Sequence, residues 1–477
     1  MRIAACVMVA LAVLSGCLGQ DGHAPAAEPT ETGGPAGLTA VVGEAGTNGM
    51  AARLPVEFLA GLRVDDVHVG VEGPEPNVGV TSSGAVFATA LGTILRSMDH
   101  GLSWEPVYEM AVGSTSDPML WVDPVTDRVF SPQMFPILLC SSFIVSDDDG
   151  ESWTEVPGVS CGLPVVDHQK VASGPAPEGS LFTPTVYPNL VTYCYNKLAA
   201  THCAVSVDGG VRFVHDAVVD MSDLASNVDL AIGSCGGLNG HQHHAADGAI
   251  YVPYGFNCGQ AFIAVSTDGG FSYLPHNLGI PNIGLDPEVT STPDGTVYLF
   301  SKFPDGRAYV LRSNDRFETY EGPFVVSPPE VKTTAFLGMT AGSDGRVAFG
   351  YLGTSDPAGV EDDVEDGAVW HSYVTMTLDG GAEAPTFVTV QASDDPVQRG
   401  SICQLKGCAD GNRNLLDFVD LHAGPDGRFY FAYADGCVSE ACVGPDGAPD
   451  DSRDAELVVA RLAVGPSLQA TQPAFTS

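Results

Sequence analysis

One eight-residue pattern recurs along this chain: Ser, any residue, Asp, any residue, Gly, any residue, Ser or Thr, and an aromatic residue. It reads SMDHGLSW at 97–104, SDDDGESW at 146–153 and STDGGFSY at 266–273, with weaker copies SVDGGVRF at 206–213, SNDRFETY at 313–320 and a remnant, TLDGG, at 377–381. The five fuller copies begin 47 to 60 residues apart. A repeat of this length is typical of an array of β-sheet units.

The pattern has the chemistry of a β-hairpin turn. Its Asp side chain can accept hydrogen bonds from the backbone of its own turn, and its Gly permits positive φ where the chain reverses. The aromatic residue can tuck the hairpin against the preceding strand. We therefore interpret five aspartates as structural turn residues: Asp99, Asp148, Asp208, Asp268 and Asp315.

Short β-rich runs that follow a turn form a second repeat. They read SSGAVFATA (82–90), TDRVFSP (126–132), ADGAIYVPY (246–254), PDGTVYLFS (293–301), SDGRVAFGY (343–351) and PDGRFYFAY (425–433), and the less regular LVTYCYN (190–196) fills the gap. Seven units predict an all-β propeller of seven four-stranded blades, each run being a second strand. Six blades is the alternative. We expect the ring to close through residues near 50–75 and a last strand from Glu456 to Val464.

The octapeptide resembles the Asp box of the sialidase-like, or neuraminidase-repeat, β-propellers. The resemblance implies an exo-sialidase-like glycoside hydrolase as one possible activity. Sialidases carry three arginines that clamp the substrate carboxylate, and the nearest match to the first arginine motif is Ala52-Arg53-Leu54-Pro55, without the aromatic residue and the isoleucine. The other arginines lack a triad context, so we expect a binding module rather than a sialidase.

The N-terminus predicts export. Ile3 to Leu14 is a mostly apolar stretch, too short to span a bilayer and suited to a signal peptide. It ends in LSGC, which resembles a lipoprotein lipobox and implies cleavage before a lipid-modified Cys17. We therefore expect a signal peptide at 1–16, a flexible lipid-anchored linker at 17–50 and the propeller at 51–477. The protein would lie on the outer face of the cell membrane.

Cysteine usage agrees with an oxidising compartment. Of 12 cysteines, Cys6 lies in the signal peptide and Cys17 takes the lipid. The chain contains no C-x-x-C spacing, the pattern that would indicate a zinc site. We therefore predict disulfides between sequence neighbours. The pairs are Cys140/Cys161, Cys194/Cys203, Cys235/Cys258, Cys403/Cys408 and Cys437/Cys442.

The charge limits the partners. The chain has 59 acidic and 20 basic side chains, and its net charge is −39. Such a surface repels phosphate backbones, which argues against nucleic-acid binding. We expect a monomer that meets the membrane only through its lipid.

Histidines and carboxylates collect where the innermost strands are predicted to begin, at the rim of the central channel. Blade 3 offers Asp167-His168-Gln169-Lys170, blade 4 Gly240-His241-Gln242-His243-His244, blade 5 Asp286-Pro287-Glu288, blade 7 Asp417, Phe418 and Asp420, and blades 1 and 2 Asn77 and Asp117. Imidazoles beside carboxylates suit a divalent transition metal, with His168, His241, His243, Asp286 and Glu288 as candidate ligands. A polar, solvated channel is the alternative.

The same rim supplies the candidate groups for acid–base chemistry. Paired carboxylates are what glycoside hydrolysis needs, and the candidates are Asp167, Asp286, Glu288 and Asp417. An oxygen-rich segment, Asp410-Gly411-Asn412-Arg413-Asn414, leaves a Ca²⁺ site open beside the simpler interpretation of a solvated acidic loop. We expect this funnel face to bind a glycan, peptide or protein ligand.

Overall fold

The computed structural model describes residues 41–42, 61–109, 117–135, 140–159, 166–197, 200–219, 238–255, 259–281, 284–404, 413–438 and 455–476. These residues form seven antiparallel sheets and one short 3₁₀ helix, Glu361–Asp363. The innermost strand of each sheet contacts a strand of the preceding sheet, in cyclic order, and the last sheet contacts the first. The protein is therefore a β-propeller of seven four-stranded blades, and the prediction of seven rather than six is confirmed. No helix in the described part of the chain is long and apolar enough to cross a membrane.

Two strands precede blade 1 in the chain, and blades 1 to 4 then follow in order from the channel to the rim. The two are β1 (Val41–Val42) and β2 (Arg63–Glu72). Blade 1 is β3 (Val78–Val80), β4 (Val86–Ala90), β5 (Thr93–Ser97) and β6 (Glu105–Glu109), and blade 2 is β7 (Trp121–Val122), β8 (Val129–Phe135), β9 (Cys140–Ser146) and β10 (Thr154–Val159). Blade 3 is β11 (Val166–Gly174), β12 (Leu190–Lys197), β13 (Ala200–Ser206) and β14 (Phe213–Val218), and blade 4 is β15 (His243–His244), β16 (Ile250–Tyr254), β17 (Gln260–Ser266) and β18 (Leu274–Pro281).

Blade 5 repeats this order, and blades 6 and 7 gain additional strands. Blade 5 is β19 (Glu288–Ser291), β20 (Val297–Lys302), β21 (Ala308–Ser313) and β22 (Glu321–Val325). Blade 6 is β23 (Thr333–Ala341), β24 (Val347–Thr354), β25 (Val369–Thr377) and β26 (Val388–Gln391), with β1 and β27 (Gln398–Arg399) added at its outer side. Blade 7 is β28 (Asp420–Ala423), β29 (Phe429–Asp435), β30 (Glu456–Gly465) and β2, with β31 (Phe475–Thr476) beside β30.

The ring closes in blade 7 by pairing the beginning and the end of the propeller. Strand β2 lies antiparallel to β30, with Val64 opposite Leu462 and Val67 opposite Val459. This is the closure that the sequence predicts. In addition, Val41–Val42, from within the predicted linker, pairs with β26 of blade 6.

Burial explains why the β-rich runs of the sequence mark the middle of each blade. The second strands β24 and β29 are buried along their whole length, whereas the outermost strand β6 is mostly exposed. Blades pack face to face through apolar clusters, one of which joins Phe130 and Phe143 of blade 2 to Val171 and Tyr193 of blade 3. A short, continuously apolar run bounded by turns is the sequence pattern of such a two-sided strand.

The octapeptide forms the turn between the third and fourth strands. In blade 1, Asp99 Oδ1 accepts the Ser103 N–H at 2.9 Å and Oδ2 accepts its hydroxyl at 2.6 Å. Ser97 Oγ accepts the Gly101 N–H at 2.8 Å, and the Trp104 indole donates to the Gly101 carbonyl at 3.2 Å. The same carboxylate-to-backbone bond, four residues along the chain, is made by Asp148, Asp208, Asp268 and Asp315.

One predicted disulfide lies wholly inside the described residues. Cys194 and Cys203 stand opposite each other on β12 and β13 and form a disulfide. Cys403 is disulfide-bonded, and so is Cys437. Their predicted partners, Cys408 and Cys442, lie outside the described residues, as do Cys161, Cys235, Cys258 and the side chain of Cys140.

Candidate functional site at the propeller hub

Every blade has one non-glycine residue with left-handed backbone geometry near the start of its innermost strand, within five residues of the first strand residue. The φ angles lie between 47° and 60°, a region that residues with a Cβ seldom adopt. The seven residues are Glu75, Asp117, His168, Leu238, Asp286, Phe336 and Leu416. Backbone strain of this kind persists where the surrounding structure holds it and is frequent at functional sites. Four of the seven are ionisable, and they meet residues of other blades.

An ion pair joins His168 of blade 3 to Asp286 of blade 5. The His168 Nε2 hydrogen-bonds Asp286 Oδ1, and the two residues are 2% and 1% exposed. Burial opposes both charges, yet the facing carboxylate raises the pKa of His168, and the facing imidazolium lowers the pKa of Asp286. Asp117 of blade 2 positions the histidine, because its Oδ2 accepts the His168 N–H at 2.6 Å.

Lys170 is a fully buried ammonium with unused hydrogen-bond donors. Its side chain has no exposed surface, and its Nζ lies 3.6 Å from the ring centroid of Phe418 and 4.0 Å from Asp286 Oδ1. The ring face and the nearby carboxylate favour the charge. However, Nζ has no hydrogen-bond partner. A buried ammonium in that state is costly unless something supplies an acceptor oxygen.

His241 and Glu288 form a second contact between blades, and here both groups are neutral. Nδ1 of His241 lies 2.7 Å from Glu288 Oε1. Burial raises the pKa of Glu288 well above its usual value and lowers the pKa of His241 to about 4. We assign the proton of this hydrogen bond to Glu288, which donates to His241 Nδ1. The proton of the imidazole then resides on Nε2, which is buried and has no hydrogen-bond partner.

Asp420 connects this region to blade 1. Its Oδ2 accepts the Val78 N–H at 3.0 Å, and burial raises its pKa. We refer to seven of these residues as the hub cluster: His168, Lys170, His241, Asp286, Glu288, Phe418 and Asp420.

A second group of carboxylates lies beside the hub cluster. Arg413 holds Asp417 with two hydrogen bonds of 2.6 Å, and the Asp417 N–H donates to Glu75 Oε1 at 3.1 Å. Burial, together with Asp117 and Asp417, raises the pKa of Glu75 well above its usual value. Burial and the charge of Asp167 raise the pKa of Asp117 to about 7.

The structure brings together four of the five predicted metal ligands, His168, His241, Asp286 and Glu288. They form two pairs, one charged and one neutral. His243 instead hydrogen-bonds Ser291 Oγ at 2.7 Å. Of the predicted acid–base carboxylates, Asp167 is exposed and Asp417 is held by Arg413. Most of the proposed Ca²⁺ segment, 410–412, lies outside the described residues.

Sequence reasoning missed Glu75 and the unpaired state of Lys170. A signal for Glu75 was available, since an acidic residue followed by Pro precedes three innermost strands: Glu75-Pro76, Asp117-Pro118 and Asp286-Pro287. No local signal could show that Lys170 lacks an acceptor, because that depends on side chains from blades 5 and 7.

The hub holds several buried polar atoms without hydrogen-bond partners. They come from four blades and are Asn77 Oδ1, Lys170 Nζ, Asn239 Oδ1, His241 Nε2, Gln242 Oε1 and Asp286 Oδ2. Such groups are rare in native proteins, and several in one place indicate a site for a polar ligand or water. The His241 side chain retains 16% exposure, so the cluster reaches solvent there.

Comparisons with known proteins add the following. No family model and no curated protein sequence matches this chain. Similar solved structures include a protein of unknown function from Dyadobacter fermentans DSM 18053, 14% identical with a TM-score of 0.42 over 84% of this chain and 99% of that one. The phage phi92 endosialidase is 12% identical with a TM-score of 0.43 over 84% of this chain and 69% of that one. The six-bladed fucose-recognising lectin of Aleuria aurantia is 12% identical, with a TM-score of 0.38 over 67% of this chain and 93% of the lectin chain.

Proposed function

We propose that this protein is an exported, lipid-anchored propeller that binds a glycan at the hub cluster. The observation that carries the proposal is the Lys170 ammonium, fully buried and without an acceptor, within 4.0 Å of an Asp286 carboxylate whose Oδ2 is also unpaired. Neighbouring sugar hydroxyls can each accept and donate, so a vicinal diol satisfies both groups at once. The free His241 Nε2–H offers a further donor in the same cluster.

The charges of the hub set the kind of glycan. His168 and Asp286 neutralise each other, and Glu288 and His241 are both uncharged. Within the hub cluster, Lys170 is the cation that makes no hydrogen bond, and its Nζ lies 4.0 Å from Asp286 Oδ1. Because the carboxyl groups of Asp286 and Glu75 already interact with this cation, a neutral, hydroxyl-rich sugar suits the cluster better than a polyanionic one.

A glycan array tests this proposal on the full chain carrying Cys17→Ser, which removes the lipid attachment residue. We expect binding to a defined sugar class that is lost in Lys170→Met, because this variant removes the donors and keeps the stem against Phe418. Lys332→Met is the matched control, since Lys332 is an exposed lysine. Equal binding by Lys170→Met, or no sugar bound by the parent chain, would overturn the proposal.

A second function, glycoside hydrolysis, is favoured by the opposite protonation states of two nearby carboxyl groups. Burial raises the pKa of Glu288, whereas His168 and Lys170 lower the pKa of Asp286 despite its burial. One retained proton and one carboxylate are what acid–base cleavage of a glycosidic bond requires. Glu288 would protonate the leaving oxygen, and Asp286 would attack the anomeric carbon or activate a water.

A panel of aryl glycosides separates hydrolysis from binding alone. We expect any hydrolysis by the parent chain to fall at least about a hundredfold in Glu288→Gln, since an amide cannot supply the proton. Asp167→Asn, an exposed carboxylate at the start of the same rim, should retain the activity. No turnover of any glycoside, with glycan binding intact, would leave binding as the function.

A further inference from the structure

A group of side chains of the types that ligate metal ions lies where the ring closes, away from the hub. His68 is on β2, Asp435 ends β29 and Asp395 follows β26, so the three come from distant parts of the sequence. One ligand atom of each lies within 4.8 Å of the others. Within the part of the chain that the structure describes, this is the trio that meets that spacing. We refer to it as the seam cluster.

Asp435 is the buried member of the seam cluster, and one of its oxygens is unused. The residue is 1% exposed, and its Oδ1 accepts the Cys437 N–H at 2.7 Å. Its Oδ2 is buried without a hydrogen-bond partner, and so is Asp395 Oδ1. Two unpaired carboxylate oxygens that converge on one imidazole point to a cation that would satisfy them.

The surroundings of the seam cluster carry an excess of negative charge. Asp66 Oδ2 lies 4.0 Å from His68 Nε2, and Glu456 Oε2 lies 3.3 Å from His68 Nδ1. Among the described residues, no Lys or Arg forms an ion pair with Asp66, Asp395 or Asp435, and the basic groups beside them are His68 and His371, whose Nδ1 lies 3.0 Å from the Asp395 carbonyl oxygen. A divalent cation would remove this excess negative charge.

We propose that the seam cluster binds one divalent transition-metal ion of the zinc type through His68, Asp395 and Asp435. An imidazole together with two carboxylates is a donor set that suits Zn²⁺, whereas Ca²⁺ and Mg²⁺ prefer oxygen ligands throughout. Glu456 faces Nδ1 of His68 at 3.3 Å and would orient the imidazole, which leaves Nε2 for the ion. The site is independent of the glycan proposed for the hub.

The position of the seam cluster gives the ion a structural role. β2 is the N-terminal strand that completes blade 7, and Asp395 belongs to blade 6. An ion held by all three ligands therefore fastens the closing strand to two blades at once. Because the ligands converge only in the folded ring, binding would stabilise the closed propeller over the open chain.

Metal analysis and thermal melting of the full chain carrying Cys17→Ser test the proposal, with Zn²⁺ itself as the probe. We expect about one equivalent of tightly held Zn²⁺ after passage over chelating resin and reloading, and a melting temperature that rises with added Zn²⁺. Both should be lost in His68→Gln and in Asp435→Asn. His68 is partly exposed, so His68→Gln keeps the test valid if Asp435→Asn fails to fold.

Two controls assign the ion to the seam cluster. His202→Gln removes a histidine of β13 in blade 3 that faces one carboxylate, that of Asp216. This variant should keep the full Zn²⁺ response. His241→Gln removes a hub histidine and should keep it as well. Zn²⁺ binding that survives His68→Gln, binding that disappears with His241→Gln, or tight binding of Ca²⁺ alone would each overturn the proposal.

Discussion

The His168 imidazole of blade 3 and the Asp286 carboxylate of blade 5 form a buried ion pair that reaches past blade 4. Both residues have left-handed backbone geometry, with φ angles of 53° and 47°. The pair therefore joins two strained positions that are equivalent in the propeller repeat. It also holds the carboxylate beside Lys170, so the geometry of the hub cluster depends on it.

Asp286→Asn is expected to destabilise the fold by about 3 kcal/mol, because it leaves the His168 and Lys170 charges buried without their carboxylate. Urea unfolding followed by intrinsic fluorescence measures the loss. Asp366→Asn is the matched control and should change the stability by less than about 0.5 kcal/mol, since Asp366 is exposed. Equal stabilities of Asp286→Asn and the parent chain would contradict a charged pair.

The stability should depend on the protonation of Asp117. Burial raises its pKa to about 7, above the unfolded value of about 3.8, so the folded state binds the proton more tightly. The stabilisation from this group is complete below pH 3.8 and is lost as the pH rises through 7. Asp117→Asn mimics the protonated acid and should flatten this part of the pH profile in unfolding experiments. An unchanged slope between pH 5 and 8 would show that Asp117 is ionised throughout.

Blades 6 and 7 approach each other so closely at Gly350 that no side chain fits there. A Cβ on this residue would lie 2.5 Å from the Phe431 ring. Gly350→Ala should therefore cost about 2 kcal/mol through overpacking, measurable as a lower urea midpoint. Gly367→Ala is the control, because nothing lies within 4 Å of the added carbon. A neutral Gly350→Ala would mean that the two blades separate more easily than their packing implies.

The lipid anchor is testable on the chain as it is expressed in its own cell. We expect the parent protein in the membrane fraction, labelled by radioactive palmitate, and Cys17→Ser unlabelled and unanchored. Cys6→Ser should behave as the parent, since Cys6 falls within the predicted signal peptide. Membrane retention of unlabelled Cys17→Ser would reject the lipid anchor.

The repeats were enough to predict the architecture, because each repeat forms through contacts within a short segment of the chain. A Ser-x-Asp-x-Gly turn bonds to its own backbone, as Asp99 does to Ser103, and a short apolar strand needs only its neighbours in the same blade. The blade order also placed His168, His241 and Asp286 at successive innermost strands. Seven blades, the closing strand and the position of the hub thus follow from the sequence.

The partners of the hub residues were decided only by the tertiary structure. His241 and His243 alternate along one segment, which suggested a shared ion, yet one faces Glu288 and the other Ser291. The seam cluster is a stronger case, because His68, Asp395 and Asp435 have no common motif and meet only when the ring closes. The hydrogen bonds of a turn are determined by a short segment of sequence. Contacts between blades depend instead on the angle and depth at which whole sheets pack.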